Sequence, residues 1–273
     1  MNFLFRLHKH VSRIYPEIVN ISELDAADMD QMYEIMKAYY AELCPKRFEY
    51  DLRKKNKVIL IRNSSEDRIV GFSTLLIFEE SLDVLNHSSK TVTGVFSGDT
   101  IIEQNYWGGT ALQLAFGLYL CWLKLKSPWK PVYWFLISKG YKTYLLMGNN
   151  FPTHYPRYEA ATPSAHAALM AKVYGKMYKE TWDQSSGTIK NNQDYRLKLG
   201  VAAPDKRLKE LNPRVAYFLG KNPQWHNGHE LACIAEMNFS VLTHYIGKKL
   251  KSRLKKIQRR LLGQGEFHIG KSH

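Results

Sequence analysis

The stretch IIEQNYWGGTALQLAFGLYLCWL, Ile101–Leu123, decides how the chain is read. An extended apolar pair, Ile101 and Ile102, leads through a short polar segment into two adjacent glycines, Gly108 and Gly109. A long uncharged run of helix formers follows. The first amides of a helix have no partner within it, and the helix dipole favours an anion there. Glycines let the backbone approach a ligand without a Cβ in the way. A strand, a glycine loop and a helix in that order therefore predict either a phosphate-binding corner or a tight strand-to-helix turn. Neither GxGxxG nor GxxxxGK[ST] is present, which disfavours a dinucleotide site and a P-loop.

From Asn105 to Leu123 the run carries no charge, so a membrane span has to be weighed. Its strongly apolar part begins only at Ala111, and Gln113 and Gly117 interrupt it. That length suits a buried helix of a globular domain better, and a helix over Thr110–Lys126 is expected.

Outward from this stretch the elements follow in a recognisable order. SELDAADMDQMYEIMKAYYAEL begins with Ser22 and acids and carries Met29, Met32, Tyr33, Ile35, Met36, Tyr39 and Tyr40 at helical spacing. KVILIRN and RIVGFSTLLIFE, joined by the polar SSED, predict a hairpin. SKTVTGVFSGDTIIE carries one or two further β segments before the glycines. After the breaker SPWKP, VYWFLI is a wholly apolar strand, and SKGYKTYLLMGNNF a turn and a short helix. PSAHAALMAKVYGKMYKE predicts another helix; RVAYFLG and HELACIAEM predict strands. The fold class is α/β in the mixed, α+β sense: a central mixed sheet flanked by helices, with a C-terminal extension. Expected boundaries are an amphipathic leader helix over 1–17, a main domain over 18–240 and a basic amphipathic tail over 241–273.

A chain of 273 residues, 45% hydrophobic and 13% aromatic, is globular in composition. Its three cysteines form no CxxC or Cys/His cluster, so neither a disulfide framework nor a metal site is expected. The N-terminal apolar run is too short and interrupted for a secretory signal, and a cytoplasmic location is expected, with or without peripheral attachment to a membrane. The formal charge is +14. Eight of those charges lie between Lys248 and Arg260 with no acid among them, leaving about +6 elsewhere. Ile246, Leu250, Leu254, Ile257 and Leu261 give the tail one apolar stripe. That pattern suits docking on the protein body or, through 248–262, an anionic membrane surface; nucleic acid fits less well. A noncatalytic basic protein acting through this tail is the alternative to an enzyme.

The central stretch resembles the GNAT superfamily of acyltransferases. That superfamily carries an Arg or Gln, two variable residues, Gly, one residue, then Gly or Ala at the start of its central helix. Here Tyr106-Trp107-Gly108-Gly109-Thr110-Ala111 fits in its Gly109-x-Ala111 half and departs at Tyr106. DTIIEQN stands where the family has its splayed central strand. Downstream, Tyr144-Leu-Leu-Met-Gly148-Asn-Asn-Phe151 is similar to the family's Tyr, three residues, Gly-Phe, with two residues inserted. The likeness covers about residues 18–151.

The resemblance implies transfer of an acyl group from a pantetheine thioester, on acyl-CoA or acyl carrier protein, to an amine acceptor. No tightly bound cofactor is implied. The donor would lie on Ile101, Ile102, Tyr106, Trp107, Gly108, Gly109, Thr110 and Ala111, with the amide of Ile101 or Ile102 stabilising the oxyanion. Tyr144 would protonate the leaving thiolate. Asp99 and Glu103 share strand parity with Ile101, so either is placed to take the amine's proton. His154 and Arg157, in a Pro-rich connection, are available to an acidic acceptor. His87 is a further titratable group that the sequence does not place.

Overall fold

The computed structural model describes residues 13–40, 43–84, 88–190, 206–238 and 240–241. Among the described residues, apolar runs broken by short turns fold into one nine-stranded sheet in the order β1-β2-β3-β4-β5-β9-β8-β7, with β6 paired to β9. The strands are β1 (Ile14–Asn20), β2 (Lys57–Asn63), β3 (Arg68–Val84), β4 (Ser88–Ile102), β5 (Val132–Ser138), β6 (His154–Tyr155), β7 (Trp182–Asp183), β8 (Thr188–Ile189) and β9 (Glu230–Met237). All neighbours run antiparallel except β4 and β5, which are parallel. Parallel neighbours need a crossover, supplied here by helix α3 (Ala111–Lys126). The remaining helices are α1 (Ala26–Tyr39), α2 (Pro45–Arg53), α4 (Tyr141–Asn150), α5 (Ser164–Met177), α6 (Lys206–Leu211) and α7 (Pro213–Lys221). This is the mixed α/β sheet with flanking helices that the element order predicts.

Strand alternation sorts the core onto both faces of the sheet. Val58, Leu60, Phe72 and Ile101 pack with Met32, Ile35 and Met36 of α1 and Phe48 and Leu52 of α2. In β5, Phe135 meets Tyr174 of α5, whereas its neighbour Trp134 turns to Phe116 of α3 at 4.8 Å between rings. β5 and β9 are buried along nearly their whole length, which is why both read as unbroken apolar runs. Among the described residues no helix is long and apolar enough to cross a membrane.

Two expectations fail. Residues 14–17, expected in a leader helix, open strand β1, an edge strand that tolerates Pro16 because only one side must pair. Residues 1–12 lie outside the described residues. RVAYFLG, expected as a strand, belongs to helix α7: Pro213 sits in its first turn and the Asn212 side chain caps the Arg214 amide. The chain divides into two units, Met1–Met237 and Asn238–His273. The second is described only at residues 238, 240 and 241, so the basic stretch 248–262 lies outside the described residues.

Tyr174 ties α5 into the sheet centre. Its fully buried hydroxyl accepts from the Leu136 amide at 3.0 Å and faces the carbonyls of Leu136 at 3.0 Å and Cys233 at 2.6 Å. Replacing it by phenylalanine strands a buried backbone donor. Tyr174→Phe is expected to lower unfolding free energy by about 1–3 kcal/mol, measured by urea titration.

Candidate active site

β4 and β5 pair from Thr93↔Val132 to Ser97↔Leu136, and there the pairing ends. β4 runs on to Ile102 and β5 to Ser138, so the two strands part at their C-terminal ends. The cause lies on the other side of β4. Its register with β3 steps from Ser73↔Thr100 to Leu75↔Ser97, which places one surplus residue of β4 opposite Thr74. A bulge of this kind bends a strand and increases its twist, turning β4 away from β5. A cleft of about 730 Å³ opens between them, closed on its sides by α1, α2 and the chain after α5.

Gly98 in the bulge belongs there for a steric reason. A Cβ at this position would stand 2.6 Å from Thr74 Oγ1 and 2.9 Å from Lys55 Cε. The missing side chain is what lets Lys55 cross the strand into the cleft.

The backbone of β4 beyond the bulge is directional. The Glu103 amide donates to Val70 O at 2.9 Å, on the β3 side. Antiparallel pairing alternates, so Ile101 directs its amide to β3, while Thr100 and Ile102 direct theirs to the gap. The Trp107 indole N–H donates to Ile102 O at 2.8 Å, fixing the strand's end. Above that ring, 4.6 Å from its centre, stands Lys142 Nζ. Gly108 takes a left-handed conformation, φ 83°, and a Cβ there would meet nothing within 4 Å, so the corner is open. Thr110, the residue before α3, makes no side-chain cap, leaving the first helical amides to face outward.

Titratable groups gather at the parting strands. Asp99 is half-buried; desolvation pushes its carboxyl above the usual aspartate value, opposed by the positive charges of Lys55 and Lys139. Glu230 is buried and shifted up in the same way, with Lys139 Nζ 3.4 Å away in opposition. Burial lowers the Lys55 ammonium, and the Asp99 charge works against that shift. Tyr40 and Tyr178 line the same cleft, and burial together with the Asp99 and Glu230 charges drives both phenols upward, so both stay protonated.

Of the residues predicted from sequence, Asp99, Ile101, Ile102 and Trp107 line the cleft. Gly108, Gly109 and Thr110 are exposed beyond Trp107 and Ala111 is half-buried, forming a rim rather than a wall. Tyr106 turns away from the corner. Its hydroxyl accepts from Asn63 Nδ2 at 3.0 Å and donates to Glu66 at 3.1 Å, anchoring the loop to the β2–β3 turn. Glu103 does not line the cleft: its amide continues the ladder to β3, and Arg68 holds its carboxylate at 2.5 Å.

Tyr144 lies outside the cleft as well. It is fully buried against Tyr217 and Phe218 of α7, and its hydroxyl donates to Pro156 O at 3.0 Å. His154 is buried against the same ring, with Nδ1 2.8 Å from Phe151 O, and Arg157 donates to Pro152 O at 2.9 Å; neither lines the cleft. His87 lies outside the described residues. Among the described residues no group of three His, Cys, Asp or Glu is placed to hold a metal.

Sequence reasoning missed Lys55, Lys139, Glu230, Tyr40 and Tyr178. Two of them left a signal. Lys139 directly follows the apolar strand VYWFLIS, at a strand's carboxyl end where ligands of α/β sheets collect, and Glu230 is the one acid leading the buried run ELACIA. Lys55, Tyr40 and Tyr178 reach the cleft only through tertiary packing.

No protein-family model matches the chain, and no curated protein matches it. Solved structures do. A probable N-acyltransferase of Enterococcus faecalis V583 is 12% identical at a TM-score of 0.36, over 49% of this chain and 31% of its own, so the match spans about a third of that protein. An acetyltransferase of Trypanosoma brucei is 15% identical at a TM-score of 0.35, over 55% of this chain and 99% of its own. An acyl-CoA N-acyltransferase of Pseudomonas aeruginosa is 12% identical at a TM-score of 0.31, over 45% and 78%.

Proposed function

We propose that the chain is an acyltransferase that binds a pantetheine thioester between the parted ends of β4 and β5 and passes its acyl group to an amine. One feature carries the reading: the alternation set by the Glu103 amide directs the Ile102 amide to the open cleft, beside a Trp107 that also lines it. Because that amide is fixed by the sheet before any substrate arrives, it needs no reorganisation to meet the oxyanion of a tetrahedral intermediate. The thioester carbonyl would lie against it, and the pantetheine arm would follow β4 toward Gly108 and Gly109.

The amine reaches the cleft as an ammonium and must lose a proton to attack. Asp99, with its carboxyl raised by burial, is the base we assign. As the C–N bond forms and the C–S bond breaks, the leaving thiolate takes a proton from a cleft phenol, Tyr40 or Tyr178, and the second proton that the nitrogen sheds on becoming an amide restores the phenol. Donor classes remaining in this reading are acyl-CoA and acyl carrier protein. Lys142 beside the Trp107 ring brings to the corner the cation that Tyr106 does not, which favours the several phosphate charges of coenzyme A. Thermal shift with coenzyme A, acyl-CoAs and acylated carrier protein tests the donor directly. Failure of every thioester to bind, with salt-dependent binding to RNA or anionic vesicles instead, would replace the enzyme by a basic binding protein.

Asp99→Asn is expected to lower kcat/KM for acyl transfer by about 10²–10⁴-fold and to remove the rising limb of the pH profile, read by thiol release. It should also stabilise the fold. A carboxyl raised on folding is held charged at a cost that is absent below the ordinary aspartate value, about 3.9, and grows as pH rises through the raised value. The melting temperature of Asp99→Asn should therefore exceed wild type near neutral pH and converge with it in acid. Tyr144→Phe is expected to behave oppositely, losing about 1–3 kcal/mol of stability as Pro156 O loses its donor, with the transfer rate unchanged.

A further inference from the structure

Lys55 and Asp99 face the same cleft with opposite charges, yet they do not pair. Among the described residues Lys55 makes no ion pair, and its single hydrogen bond goes to Asp51 O at a long 3.3 Å. An ammonium has three protons to donate, so two are left for whatever enters the cleft. Among the described residues Asp99 accepts no side-chain hydrogen bond. Each charge nonetheless acts on the other across the space between them. Half-buried charges that remain unsatisfied are costly, and two of opposite sign would close into an ion pair if nothing else were meant to stand between them. The fold instead keeps them apart: Lys55 passes over Gly98, whose missing Cβ gives it room, while Asp99 hangs from the bulge itself. The neighbouring pairs are complete, with Lys139 against Glu230 at 3.4 Å and Lys54 against Asp51 at 3.4 Å.

The geometry points to a zwitterionic acceptor: an amine carrying a carboxylate or comparable anionic group, its nitrogen at Asp99 and its anion at the Lys55 ammonium. This rests on the acyl-transfer reading and narrows it, since a plain amine satisfies Asp99 and leaves Lys55 as it is. A zwitterion satisfies both and spans the bulge. Charge-assisted bonds of this kind carry roughly twice the strength of neutral ones, which makes the anion a determinant of choice as well as of affinity.

Binding separates this from the transfer reaction. The full chain, without thioester, is titrated with the proteinogenic amino acids, their decarboxylated amines and phosphoethanolamine, followed by thermal shift and ligand-observed NMR. At least one zwitterion should bind about tenfold or more tightly than its decarboxylated amine. The phosphoethanolamine arm tells a phosphate from a carboxylate preference. Lys55→Met should abolish the preference and Lys55→Arg should restore part of it. Removing a half-buried ammonium should not lower the melting temperature of Lys55→Met, so loss of binding would not be loss of fold. Equal binding of amines with and without the anion, or a zwitterion preference that survives Lys55→Met, overturns the inference. Coenzyme A is titrated in parallel. If it binds and no zwitterion does, only the acceptor class falls; if neither binds, the acyl-transfer reading falls with it.

Discussion

Five residues of parallel pairing, Thr93–Ser97 against Val132–Leu136, set the constraint on which the rest of the structure depends. They make β4 and β5 neighbours and oblige the chain to cross over through α3. They also stop early enough to leave both strand ends free. Everything assigned to function lies just past the last of those pairs. The amides of Thr100 and Ile102, the carboxyl of Asp99, Lys139 after β5 and the head of β9 at Glu230 surround one gap because no partner strand fills it. Had the pairing continued to Ile102, each backbone group would be saturated by the sheet and no amide of β4 would face the gap.

The charges in this gap are held against the preference of a protein interior. Two carboxyls are pushed up and one ammonium down by burial, while two phenols stay protonated beside them. Groups displaced in opposite directions within one cleft are how a site separates proton donors from acceptors near neutral pH. Tyr144 offers the contrast. Its phenol is raised by the same burial, but its hydrogen is committed to a carbonyl and its ring to packing, so the shift reports a core residue.

Much of the fold was legible because the sheet writes itself into apolar runs: KVILIRN, VYWFLIS and ELACIAEM are strands within a residue or so of where composition places them. The helix after the glycines was equally plain. What misled was local resemblance without its partners. Val215, Tyr217 and Phe218 favour a strand by propensity, but Asn212 and Pro213 start a helix, and capping prevailed. Glu103 keeps the strand's parity in its backbone, but Arg68, 35 residues away in the chain, claims its carboxylate. Tyr144 stood at the right spacing on the right helix, yet the position of Pro156, which claims its hydroxyl, is fixed by strand β6 against β9 and has no local trace. Lys55 and Asp99 come to one cleft across more than forty residues of chain, a juxtaposition no spacing rule could foresee.

The extra residue opposite Thr74 also sets a phase. Side chains and amides along a strand alternate with period two, so β4 beyond Gly98 is in one phase and β4 before it in the other. Shortening the chain by one residue at 98 or 99 would restore a regular ladder and a tidier sheet. It would leave Thr100 opposite Ser73 and Ser97 opposite Leu75, but it would remove the bend that turns β4 away from β5. The irregular strand is thus what holds the cleft open, and a sequence change that improved its regularity would close it.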